Sequence, residues 1–198
     1  MDEIVKQALA KWPNVPHCTG WLLLDRRGQW RMRDDAAQAA GEPGTPIRHE
    51  ALLGFINRNY ESDADGQWFF QNGPQRVYVE LLYTPWIVRL HATDGALRLT
   101  DQAGAPFEPA QVWIDDEGGI LFSDAATPAR VAALHDHDLE LFADHASLDE
   151  AGKHGTFHWR DAADLTAQPI ARADVAARFG FVASPADRAA AHAAAKKD

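Results

Sequence analysis

Apolar and polar residues alternate along this chain with two different periods. Ile4, Val5, Ala8, Leu9 and Trp12 recur at helical spacing, which predicts a short amphipathic helix over residues 2–12. Pro13 and Pro16 stop it, since a proline removes an amide donor and crowds the preceding turn. From Trp21 onward the period becomes two. Residues 21–32 read as a hairpin, with Trp30 and Met32 on one face and Arg31 and Arg33 on the other. An Ala/Gly/Pro-rich linker leads to Gly44-Thr45-Pro46-Ile47, where Thr45 is the expected N-cap and Pro46 the first helical residue. That helix is predicted to run to about Tyr60 and to bury Leu52, Leu53, Phe55 and Ile56. Asp63-Ala64-Asp65-Gly66 is turn chemistry. Residues 67–70 and 76–81 flank an Asn72-Gly73 pair and predict a second hairpin. Thr84-Pro85 interrupts the pattern before a strand resumes at Trp86. Asp94-Gly95 then turns the chain toward Leu97 and Leu99.

The alternation also repeats. Laid without gaps, residues 21–32 match residues 111–122 apolar for apolar, with Asp25 on Asp115 and Gly28 on Gly118. A repeat of this kind fixes how a chain is organised before any local motif does. Further on, Gly155-Thr156-Phe157-His158-Trp159 echoes Gly66-Gln67-Trp68-Phe69-Phe70. Two registers compete for the helix between them. Thr127-Pro128 reads like Thr45-Pro46 and would start a helix at Pro128. Alternatively residues 131–134 are a strand and the helix is 138–145, with Leu139 and Phe142 inward, which fits the charged step at 135–138. One further short helix is expected over residues 173–179. The Ala-rich stretch 186–198 has few apolar anchors and is expected to fray.

Short connections favour hairpins and leave little room for crossovers. The predicted class is therefore α+β, with two related ββαββ-like motifs, mainly antiparallel sheets, a short N-terminal helix and a frayed C-terminal tail. The expected segments are 1–16 (helix and linker), 17–108 (first repeat), 109–185 (second repeat) and 186–198 (disordered tail).

Charge changes the picture by exclusion. The net charge is −10 and no block of Lys or Arg spans a face, so nucleic acid and anionic membrane surfaces are not expected partners. Nowhere do enough apolar residues run together to cross a bilayer, and the acids near Met1 do not suit a secretory leader. The single cysteine, Cys18, forms no internal disulfide, which points to a reducing, cytoplasmic setting.

Several elements of the first copy lie in a recognisable series: Cys18-Thr19-Gly20, Asp25-Arg26-Arg27-Gly28-Gln29-Trp30, Gly44-Thr45-Pro46-Ile47, Gly66-Gln67-Trp68-Phe69, Arg76 and Thr84-Pro85-Trp86. This series resembles an uncharacterised proteobacterial domain-of-unknown-function family, number 1285, over about residues 17–90. The spacing from Gly66 to Trp86 agrees without gaps. The chain departs from the family at Asn72-Gly73-Pro74-Gln75-Arg76, where the family has Thr-Pro-Val-Glu-Lys, and at Tyr83, where it has an acid. The resemblance implies repeated ββαββ-like motifs and a signalling or regulatory role. It implies no reaction, cofactor or catalytic residue.

Candidate chemistry is sparse. His135-Asp136-His137-Asp138, with His158 beyond, offers imidazole and carboxylate ligands for a divalent ion, and a metal-dependent hydrolase using His135, His137 and His158 is the alternative reading. The stretch lacks the spacing of a His-Glu-x-x-His helix, and Asp136 or Asp138 serves equally as a helix N-cap. His17 beside Cys18 would activate a thiol only on an irregular backbone, because neighbours on a strand face opposite ways. Arg26, Arg27, Arg31 and Arg33 form a basic cluster, and Asp115-Asp116-Glu117 occupies the matching turn of the second copy. Asn72, Gln75 and Arg76 follow an aromatic strand and precede Trp86, an arrangement typical of loop polar groups on a rigid sheet. No Walker loop, dinucleotide fingerprint or nucleophile elbow is present. The expectation is a non-enzymatic binding or regulatory module without catalytic residues or cofactor. It would hold a small anionic ligand or protein partner at Asn72, Gln75, Arg76 and Trp86, with a homodimer as candidate assembly.

Overall fold

The computed structural model describes residues 1–93, 95–160 and 163–195. Two compact units emerge. One comprises Met1–Asp25, Gln29–Tyr83 and Gly180–Asp198, and the other Arg26–Gly28 with Thr84–Phe179.

The first unit begins with α1 (Glu3–Lys11), β1 (Cys18–Leu24), β2 (Trp30–Met32) and α2 (Asp35–Ala39). It continues with β3 (Thr45–Pro46), α3 (Glu50–Arg58), β4 (Tyr60–Ser62), β5 (Trp68–Asn72) and β6 (Gln75–Leu81). Its sheet has the order β3-β2-β1-β6-β5-β4, with β1 and β6 parallel and every other pair antiparallel. The hairpins follow the predicted alternation. The parallel central pair does not: the first and last strands of the motif meet after a crossover that carries α3, a route the short-connection argument overlooked. Leu22, Leu23 and Leu24 are all buried, because both faces of β1 are covered. Phe55 of α3 stands edge-on to Phe70 on one side of the sheet.

Three local expectations change. The helix starts at Glu50 and not at Pro46, and His49 Nδ1 caps it by accepting from the Leu52 amide at 3.3 Å. Thr45-Pro46 instead forms a sheet-edge strand, a position where a missing amide donor costs nothing. Within the supposed linker, Asp34 accepts from the Ala37 amide at 2.8 Å and starts α2. Of the residues expected inside α3, Ile56 is buried while Leu52, Leu53 and Phe55 are half-buried.

The second unit holds β7 (Trp86–Thr93), β8 (Ala96–Asp101), β9 (Pro106–Phe107), β10 (Gln111–Asp115), β11 (Ile120–Ser123) and β12 (Val131–Leu134). A 3-10 turn (Asp136–Asp138) leads into α4 (Leu139–Asp144), which supports the second of the two registers. There follow β13 (Ala146–Leu148), β14 (Gly155–Arg160), β15 (Ala163–Ile170), another 3-10 turn (Arg172–Asp174) and α5 (Val175–Phe179). Asp94 of the predicted Asp94-Gly95 turn lies outside the described residues.

Nine strands form one sheet in the order β13-β14-β15-β10-β11-β12-β7-β8-β9. It curls until β14 lies against β8. Phe107, Phe122 and Phe157 are wholly enclosed in its concave face, with Phe142 stacked 4.7 Å from Phe157. β7 and β8, expected within 17–108, hydrogen-bond into this second sheet: Trp86 pairs with Ala132 and Val88 with Leu134. Their buried Val88, Leu90, Leu97 and Leu99 belong to its core.

The strand orders correspond. β10, β11, β12, β13, β14 and β15 occupy the places of β1 to β6, including the parallel pair of first and last strands. Each motif thus has three strands, a helix and three strands, one strand longer on either side than ββαββ, and the first adds α2 between β2 and β3. The chain ends in α6 (Pro185–Ala195), which packs on β1 and β6 of the first unit and buries Pro185 alone. Residues 196–198 of the expected tail lie outside the described residues.

Five turns reuse one device. Asp25, Asp63, Asp101, Asp115 and Asp149 each begin an Asp-x-x-Gly sequence. Each carboxylate accepts the amide four residues on, at 2.9, 2.9, 2.9, 2.7 and 2.8 Å respectively. The glycine follows with positive φ, +76° at Gly66 and +84° at Gly118, a region that β-carbons disfavour. Five of the chain's 29 acidic residues are therefore turn architecture.

Candidate functional site

The site is built on the β5–β6 hairpin. Asn72 pairs with Gln75 across a Gly73-Pro74 turn, Gln71 with Arg76, and Phe69 with Tyr78. Directly opposed residues share a face. Phe69, Gln71, Arg76 and Tyr78 therefore line one side of the sheet, the side that also carries α6. The half-buried Arg76 guanidinium lies 4.4 Å from the Phe69 ring centroid, a cation–π placement. Among the described residues it makes no ion pair.

Around it the polar groups are ordered. Tyr78 donates its hydroxyl to Asp63 at 3.1 Å, and the His17 ring stands edge-on to Tyr78 at 5.8 Å. Burial raises the Tyr78 pKa; Arg76 pulls it down and Asp63 adds to the rise, so the hydroxyl stays protonated at neutral pH. For Asp63, burial works upward. Hydrogen bonds from the Gln67 amide, Tyr78, the Asp65 amide and the Gln67 side chain outweigh it and hold the carboxyl below its usual range. Gln75 Nε2 donates to Pro16 O at 3.0 Å, while Asn72 is exposed. Gln71 is fully enclosed. Its Nε2 donates to Gly73 O at 2.9 Å, yet its Oε1 is buried without a hydrogen-bond partner among the described residues. A buried acceptor left in this way is uncommon and calls for an explanation.

Other predicted residues fall elsewhere. Trp86 belongs to the second unit, half-buried against its core, with the Arg130 guanidinium 5.8 Å from its ring. His135 packs on His137 at 4.7 Å and accepts the His137 amide at 3.1 Å, so it caps the 3-10 turn in the place expected for Asp136. His158 bonds instead to Ser147 and Asp164 on its own hairpin. Among the described residues no three His, Cys, Asp or Glu side chains gather as a metal site would require. Cys18 is half-buried, and burial pushes its thiol pKa up, away from nucleophilic chemistry.

The arginine cluster is engaged in local pairs. Arg31 reaches Gly44 O at 2.7 Å and Asp25 at 3.4 Å, and Arg33 reaches Glu42 O at 2.9 Å. Within the second unit Arg26 faces Glu117 at 3.6 Å and Arg27 bonds Asp136 at 2.6 Å.

Sequence reasoning missed two polar constructions. Asp138 does not cap α4 with its side chain; it receives Arg89 at 2.6 and 2.9 Å and the Leu90 amide at 3.0 Å. Glu80, only 6% exposed, accepts from Ser184 Oγ at 2.6 Å and the Ala186 amide at 3.1 Å, fastening the start of α6. Burial raises its pKa, against the lowering effect of those two bonds. Alternation did signal that residue 80 would face the same way as residue 78, but nothing local signalled the partner.

Trp30 is buried, donates to Asn57 Oδ1 at 2.7 Å and meets Tyr60 edge-on at 5.0 Å. The family model described as "Protein of unknown function (DUF2946)" matches residues 1–186. The chain belongs to this DUF2946 family. Two solved structures are similar to it, both of DUF1285 family proteins. The one from Silicibacter pomeroyi DSS-3 has 15% sequence identity and a TM-score of 0.44, covering 84% of this chain and 94% of that one. The one from Shewanella baltica OS155 has 12% identity and a TM-score of 0.43, covering 63% and 91%. A comparison with curated proteins finds no match. Among the described residues of this DUF2946 protein, no helix is long and apolar enough to cross a membrane.

Proposed function

We propose that the protein is a non-enzymatic, cytoplasmic binding or regulatory module that holds a small anionic ligand on the β5–β6 face. The observation that carries this is Arg76: a half-buried guanidinium, stacked on Phe69 and without an ion pair among the described residues, in a chain of net charge −10. A guanidinium offers five N–H donors in a fork that matches carboxylate or phosphate oxygens. Asn72 and Gln75 pair at the adjoining turn in the register of the opposite face, so the contact to the ligand falls to Arg76, and Trp86 stays with the second unit's core. The acids support a binding role over acid–base catalysis, since Asp63 and the other turn carboxylates are committed to backbone amides. The single thiol of Cys18 suits a reducing compartment. The exposed Trp12, Trp21 and Met32 support association into a homodimer, which sedimentation velocity checks.

The test is a calorimetric screen of small carboxylates and phosphates against wild-type and Arg76→Gln protein. A hit that weakens about tenfold or more in Arg76→Gln supports the reading, the range expected for loss of a charge-assisted bond. Ligands whose affinity is the same in both proteins refute this site.

A further inference from the structure

The second unit contains a groove of about 440 Å³ lined by Ala96, Arg98, Leu99, Thr100, Pro106, Glu108 and Arg160. It lies at the seam of the curled sheet, where the end of β14 meets β8. Arg160 bridges that seam: its Nε donates to Leu97 O at 2.9 Å, its Nη2 to Glu108 at 3.2 Å, and its guanidinium lies 4.5 Å from the Trp159 ring. Two of its five donors are used in these bonds, and the stacking fixes the plane of the rest. From β8 comes Arg98, exposed and directly opposite His91 in the β7–β8 register. Among the described residues it makes no ion pair. His91 Nε2 in turn meets Thr100 Oγ1 at 3.1 Å.

We propose that this groove is an anion site, independent of the β5–β6 face, which takes a carboxylate or phosphate group of a small molecule between Arg98 and Arg160. Two guanidiniums around one concavity reverse the sign of the charge carried by the chain as a whole, and concave surroundings focus such a field. The one acid lining it among the described residues, Glu108, has a side chain 65% exposed, so an entering anion can share or displace it at little cost. The size suits a small metabolite, and mouths of curled sheets are recurrent places for one. Thr100 contributes a hydroxyl beside Arg98, and Pro106 and Ala96 supply the apolar wall.

Inorganic phosphate and citrate, titrated separately into the full chain and followed by calorimetry, test this. At least one of them should bind. Its affinity should fall about tenfold in Arg98→Gln. It should remain unchanged in Arg76→Gln, which separates this site from the one proposed above. Arg160→Gln gives the same loss if it folds. Should release of the seam prevent folding, Thr100→Val serves as the second variant and should weaken binding to a lesser degree. Binding of phosphate alone or of citrate alone identifies the oxygen group preferred. The proposal falls if neither probe binds by about 10 mM, or if the Arg98→Gln and wild-type isotherms coincide.

Discussion

Replacing Asp138 by alanine should unfold the second unit more readily than its surface position in the sequence suggests. The carboxylate is 6% exposed and accepts three bonds, two from Arg89 and one from the Leu90 amide. Leu90 is 2% exposed, so its amide cannot turn to water when the acceptor goes. An unsatisfied buried amide costs about 1–3 kcal/mol. The Arg89 side chain is 44% exposed and regains solvent, so the lost ion pair adds only about 0–1 kcal/mol. The sum is ~1–4 kcal/mol. Urea unfolding measures it, and hydrogen exchange at the Leu90 amide localises it. Asp138→Asn keeps an oxygen for that amide and should cost less.

Asp136 provides the control. Its ion pair with Arg27 is equally short, 2.6 Å, but its side chain is 49% exposed, so Asp136→Ala should stay within about 0.5 kcal/mol of wild type. The pH dependence has a fixed sign. For Asp138, burial raises the pKa, and the Arg89 and Leu90 bonds outweigh it and bring it below 3.8. Its contribution is therefore complete above the ordinary aspartate value and disappears as pH falls through the lowered native one. The gap between wild type and Asp138→Ala should close below about pH 3.8. Equal unfolding midpoints for Asp138→Ala and Asp136→Ala at pH 7 would refute the reasoning.

Three further outcomes are expected. Glu80 has its pKa raised by burial, so its stabilising share is complete at low pH and falls as pH rises through the raised native value; Glu80→Gln keeps an acceptor for the Ala186 amide and should raise Tm at pH 7 by about 2–4 °C, with the advantage absent at pH 4. Gly66→Ala would drive a Cβ into the Gly180 carbonyl oxygen at a φ of +76°, and should lower the urea midpoint of the first unit by more than the ~1 kcal/mol typical of a left-handed turn position. Asp101→Ala removes the acceptor for the Ala103 and Ala105 amides and should cost about 1–2 kcal/mol, with faster exchange at both amides.

Strands and hairpins were legible because alternation is a local signal. Leu22 and Leu24 against Trp30 and Met32, or Phe69 against Tyr78, can be paired by eye once the turn residues are found. The sheet that each strand joins was not legible. Trp86, Ile87 and Val88 follow β6 closely in sequence but pair with Ala132, Ala133 and Leu134. Long-range pairing is decided by which core buries the side chains, and that information is not local. Thr45-Pro46 misled for another reason: the same two residues suit a helix start and an edge strand, and tertiary pairing with Arg31 and Met32 decided between them. At the candidate site, Arg76 stood out as a cation in an aromatic strand. The enclosed Gln71 and the Arg89–Asp138 pair did not, because burial and a partner 49 residues away leave no trace in spacing.

The two corresponding hairpins, β1–β2 and β10–β11, direct the search for function to the cations rather than the acids. Asp25 and Asp115 occupy equivalent turns and do equivalent work, each accepting the amide four residues on. Each also meets an arginine, but from a different source. Arg31 comes from the same hairpin, whereas Arg172 follows the last strand of the second motif and also reaches Glu117 at 3.0 Å. The acid thus does the same work in both hairpins, and the guanidinium is what differs between them. Applied along the chain, this assigns five of the aspartates to turn architecture. Arg76 and Arg98, which make no ion pairs among the described residues and stand on two separate sheets, are the cations on which the two proposed sites rest.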